Sequence, residues 1–153
     1  MHVLLASRNV APLSKEEIRR ATNSFLGLDT NVSVRYDESK NSVFRVDYDE
    51  SGEYGEIVFG PDIYPGTSVT DPNAMLSVDA AAAHELSHYY RWKDKAALDD
   101  VTLEHIDEAL TSLHAILRYD RQLNETDKRQ LVADAMKRLQ HYVNGLANKG
   151  VDK

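Results

Sequence analysis

The chain has 153 residues, 42% hydrophobic and 28% charged, the size and balance of one globular domain with its own core. It contains no cysteine, which excludes a disulfide framework, a Cys-ligated metal and a thiol nucleophile, so any metal must be held by His, Asp or Glu. The formal charge of −7 opposes binding to a phosphate backbone, so nucleic acid is not an expected partner. No apolar run approaches the ~18 residues of a membrane span. The opening stretch Met1–Ser7 has a short apolar run without a basic flank, too brief for a secretory signal. The expected compartment is the cytosol, with export by a route lacking a cleaved signal left open.

In chain order, Met1 to Ser7 is a candidate strand. Ser14-Lys15-Glu16-Glu17 has the capping-box pattern and predicts a helix reaching about Phe25. Three period-2 runs follow. Asn31 to Tyr36 puts Val32, Val34 and Tyr36 on one face; Ser42 to Tyr48 does the same with Phe44, Val46 and Tyr48; Tyr54 to Phe59 is the third. Short polar turns join them, which predicts an antiparallel meander. Gly60 to Leu76 carries Pro61, Pro65, Gly66 and Pro72 and reads as a loop.

Ser77 is a candidate N-cap for a helix to about Trp92, with Asp79 in its first turn. Leu103, Ile106, Leu110, Leu113 and Leu117 recur at spacings of three and four, predicting a further helix with that stripe in the core. Asn124 or Thr126 caps a last helix to about Gly145, with Leu131, Ala135, Leu139, Tyr142 and Val143 on its buried side. The sum is a single α+β domain over residues 1–153: an N-terminal helix and small antiparallel sheet, then three helices.

The chemistry concentrates in His84-Glu85-Leu86-Ser87-His88, an H-E-x-x-H pattern within a helical segment. One helical turn is 3.6 residues, so positions four apart stand one above the other and both imidazoles can face one ion. Glu85 lies about 100° round the helix and can reach a water on that ion. The bland alternative is a pair of exposed histidines beside a glutamate. Against it, two His and a Glu on an otherwise apolar helix are costly to bury without a partner.

Twenty residues beyond His88 stands Asp107-Glu108-Ala109. With the first motif, this resembles the gluzincin metallopeptidases, the thermolysin-like group, over about 25 residues. The resemblance implies Zn2+ held by His84, His88 and Glu108, with Glu85 as general base in peptide-bond hydrolysis. Glu108 falls opposite the expected leucine stripe, with small neighbours Thr111, Ser112 and Ala115 that let a second helix approach. Glu104, one turn earlier, is the rival third ligand. The family often has an Asp four residues after the ligand Glu, orienting a zinc-bound His; here Ser112 holds that place, with Asp107, His105 and Thr111 as other candidates.

An oxyanion donor would come from outside the motif, and His141, Tyr142, Tyr119, Tyr64 and His114 stand unranked. The resemblance further implies a protein or peptide substrate laid along a sheet edge, for which Tyr54 to Phe59 is the candidate. Acidic residues between Asp37 and Glu56 suit a basic peptide, or simply a solvated face. Only about 45 residues follow Glu108, so this would be a minimal peptidase. The competing readings are a non-catalytic zincin-like metal-binding regulator and an acidic interaction module with no metal.

Overall fold

The computed structural model describes residues 8–39, 41–66 and 76–151. The candidate strand at Met1–Ser7 lies outside them, as does 67–75 of the expected loop. The architecture is α+β, and among the described residues helix α1 (Lys15–Leu28) precedes strands β1 (Ser33–Tyr36), β2 (Val43–Asp49) and β3 (Gly52–Phe59), with helices α2 (Val78–Lys93), α3 (Glu104–Arg118) and α4 (Glu125–Val151) after them. No helix among these residues is long and apolar enough to cross a membrane.

Local sequence chemistry sets the helix starts. At α1 the capping box is complete: the Glu17 amide donates to Ser14 Oγ and the Ser14 amide to Glu17 Oε1. Ser77 caps α2 by accepting from the Ala80 amide, and its hydroxyl donates to Asp127 Oδ1, tying the start of α2 to α4. Asn124 Oδ1 accepts from the Asp127 amide and so caps α4, which runs six residues beyond Gly145.

The sheet corrects the expected meander. Its order is β1-β3-β2, with β1 parallel and β2 antiparallel to β3, so Tyr54 to Phe59 lies in the central strand and is not an edge. The physical reason is burial. Ile57, Val58 and Phe59 are fully enclosed and need a neighbour on each side, whereas β2 carries Arg45 and Asp47 and tolerates an edge. Gly55 admits close packing there: a Cβ on it would meet the Phe44 ring at 2.6 Å and Trp92 at 3.1 Å.

Helix α2 is the centre of the molecule. Ala80 to Leu86 are wholly buried, enclosed by α1, the sheet and α3. A helix buried on all sides needs small residues where neighbours crowd it, and the Ala80–Ala83 run supplies them. The chain before α2 is fastened by Arg8, whose guanidinium donates to the carbonyls of Asp62, Ile63 and Leu76 at 2.9–3.0 Å. Within that chain Pro61–Ile63 forms a buried 3-10 turn.

Helix α3 presents the opposite side from the one its periodicity predicts. Leu110, Leu113 and Leu117 are exposed, and the buried set is Glu108, Ala109, Thr111, Ser112 and Ala115. Polar contacts decide this. Arg91 on α2 donates to Asp107 Oδ1 at 2.6 Å and to Thr111 Oγ1 at 2.9 Å, and His84 meets Ser112 at 2.7 Å. These hydrogen bonds satisfy groups that would be costly to bury alone, and the small side chains let the helices close. On α4, Leu131 and Ala135 are buried as expected and Tyr142 is half-buried, but Leu139 and Val143 are exposed.

Candidate metal centre

Two adjacent helices bring three side chains together. His84 and His88 stand one turn apart on α2, and Glu108 faces them from α3. Among the described residues these are the His, Asp and Glu side chains whose donor atoms converge, all within 4.8 Å of one another. Glu108 Oε2 lies 3.1 Å from His84 Nε2 and 2.7 Å from His88 Nε2. Glu104, the other candidate for third ligand, is outside the group.

The far side of each imidazole is held by a hydroxyl. Ser112 Oγ donates to Asp134 Oδ2 at 2.6 Å, so its lone pair accepts from His84 Nδ1–H at 2.7 Å. Thr111 Oγ1 donates to the Asp107 carbonyl at 2.8 Å and faces His88 Nδ1 at 3.5 Å. The Nδ1 of each ring thus faces a hydroxyl, and both Nε2 atoms point at the same Glu108 oxygen. At these distances each ring nitrogen and the carboxylate oxygen need a proton or a cation between them.

Below the trio lies a buried ion pair that sequence reasoning did not find. Arg138 Nε donates to Asp134 Oδ2 at 2.8 Å, both residues are fully enclosed, and Arg138 Nη1 lies 4.0 Å from Glu108 Oε1. One Glu108 oxygen therefore faces the histidines and the other faces a guanidinium. Asp134 and Arg138 are four apart on a helix, a spacing that in sequence reads as an ordinary surface pair. Ser112 links His84 to a carboxylate of α4 through its hydroxyl.

Glu85 is fully buried, and neither carboxylate oxygen has a hydrogen-bond partner among the described residues. Burial pushes its pKa up to about 8, against the opposing effect of His88. Burial also lowers the pKa of His84. At His88 burial acts the same way, but the Glu108 carboxylate outweighs it and the net shift is upward. Burial raises Glu108, yet the charge of His88 and hydrogen bonds from both histidines leave it well below the usual carboxylate range.

The donor set fits a divalent metal. Two imidazoles and a carboxylate are the ligands of many catalytic zinc sites, and bonds of about 2 Å in a tetrahedron put ligand atoms roughly 3.3 Å apart, within the spread seen here. The charge fits as well: Glu108 is held as a carboxylate between the two imidazoles, an anionic ligand for a divalent cation. The buried His84–His88–Glu108 group can thus hold a metal ion.

The residues proposed as oxyanion donors are placed elsewhere. Tyr64 OH donates to the Glu17 carbonyl, Tyr119 OH to Asp29, and His141 packs at a tilt against His105. His114 lies under the charges of Arg118, Arg91 and Asp94, and Tyr142 is half-buried on α4. None of the five belongs to the convergent group.

The orienting hydroxyl gives a direct test. If the group holds a divalent metal, Ser112→Ala is expected to weaken its binding about 10–100-fold, the usual effect of removing the partner of a ligating His. Competition against a chromogenic chelator measures it, with exposed Ser39→Ala as the control.

A scan against family models, a search of curated proteins and a search of solved structures each found no match to this chain.

Proposed function

We propose that this protein is a zinc-dependent metallopeptidase of the gluzincin type. The observation that carries the reading is the convergence of His84, His88 and Glu108 from two helices beside a buried, unpartnered Glu85. The three would hold the ion. A zinc ion in such a set supplies Lewis acidity and a water of near-neutral pKa. Glu85 is the general base: it takes the proton of the attacking water and returns it to the leaving amine. Ser112 and Thr111 fix the rings, and Arg138 fixes the Glu108 carboxylate from behind. The substrate is a protein or peptide, and the compartment the cytosol.

One observation favours a second reading, a non-catalytic metal-binding regulator. Glu85 and His84 are wholly enclosed and Glu108 nearly so, leaving His88 as the ligand with appreciable exposure. Catalysis needs a path to Glu85, whereas a structural metal does not. A peptide-library digest separates the two. Cleavage that stops with chelator and returns with added zinc is the expected result. Stoichiometric zinc without cleavage supports the regulator, and absence of bound zinc defeats both.

A further inference from the structure

Among the described residues, the side of α3 and α4 turned away from the candidate metal centre is an unpartnered apolar face. On α3, Leu110, Leu113 and Leu117 are exposed, the last by 80%. On α4, Val132, Met136, Leu139, Val143 and Leu146 are exposed, Met136 by 62% and Val143 by 60%. The α3 positions are spaced three and four apart, and those on α4 four, three, four and three. That is the heptad seam that helices use to pack on other helices. At about 100° per residue, Leu117 lies opposite Glu108 and Val143 opposite Asp134, so both seams point away from the buried polar network. The two helices are packed neighbours, joined through Ser112–Asp134 and His105–His141.

Area and charge name the occupant. These eight side chains expose on the order of 700 Å2, above the largest apolar patch of a typical monomer and close to one partner's share of a stable interface. In a chain that is 28% charged with a net charge of −7, residues 109–117 and 139–147 carry no Asp, Glu, Lys or Arg, and Lys137 is the one charged residue lining the groove of Met136, Leu139 and Val143. Two copies can therefore meet here without the like-charge repulsion the rest of the surface would impose. The geometry points to a second copy of this chain: the α3–α4 hairpins pair about a two-fold axis and complete a four-helix bundle, with the metal centres on its outer sides.

This inference does not rest on the metal. Sedimentation equilibrium of the full chain is expected to give twice the chain mass at micromolar concentration. Met136→Glu combined with Val143→Glu, and separately Leu117→Glu on α3, should raise the dimer dissociation constant at least about a hundredfold. All three positions are exposed, so helical circular dichroism and zinc content should not change. Met136→Leu should keep the dimer. A chain that stays monomeric at tens of micromolar overturns the proposal, whether or not it then binds lipid vesicles. A dimer that survives both charged variants also overturns it, because its interface would lie elsewhere.

Discussion

Glu85→Gln is expected to keep the fold and the zinc and to lower peptide hydrolysis by at least about a hundredfold, the contribution of a positioned general base. Glu85 is enclosed on α2 with no hydrogen bond to either oxygen, and its pKa is raised to about 8. In the metal-free protein near pH 7 it is therefore mostly neutral, and the amide replaces one neutral group by another of the same shape. Neither Nε2 nor the Glu108 carboxylate is touched, so metal affinity should hold. What disappears is a group that can accept a proton. Turnover of a fluorogenic peptide together with elemental analysis of the same sample measures both halves. Unchanged turnover would remove Glu85 from the mechanism.

Replacing Glu108 should be more severe. Its carboxylate sits between two Nε2 atoms at 2.7 and 3.1 Å and the Arg138 guanidinium at 4.0 Å. Glu108→Ala removes the shared anion and opens space around Arg138, a cation with no exposure to solvent. Breaking such a buried network typically costs about 3–5 kcal/mol, and zinc binding should fall with it. Glu108→Gln keeps the shape, so it separates loss of charge from loss of packing and should still bind zinc poorly. Glu104→Ala should change stability by less than about 1 kcal/mol and leave zinc in place. Denaturant unfolding and metal competition read these out. If the Glu104 variant lost zinc instead, the third ligand would move one turn back along α3.

Parts of the protein differ in how far one chain of letters reveals them, for physical reasons. The helix starts at Ser14 and Ser77 were legible because caps are local chemistry, settled within four residues. The pairing of His84 and His88 was legible for the same reason, since one helical turn fixes it. Glu108 came from a resemblance and not from geometry. Asp134 and Arg138 were invisible, because a carboxylate and a guanidinium four apart look like solvent-facing charges until Ser112 is known to stand against them.

Strand order was not legible either: alternation says which face a residue takes, not which strand lies beside it. The leucine stripe of α3 shows the sharper limit. Periodicity detected an apolar face but could not say what it meets. The inner side of the helix went to Glu108, Thr111 and Ser112, whose hydrogen bonds to α2 and α4 stabilise a polar interior. A sequence rule that puts polar residues outside fails most readily at such a site.

Anomalous scattering at the zinc absorption edge, on crystals of protein never exposed to chelator, tests most directly for a cation between α2 and α3. The predicted result is one strong peak within bonding distance of His84 Nε2, His88 Nε2 and a Glu108 oxygen. Fully ordered side chains with no peak there, and the Nε2 atoms hydrogen-bonded to Glu108 as in the metal-free arrangement, would contradict it.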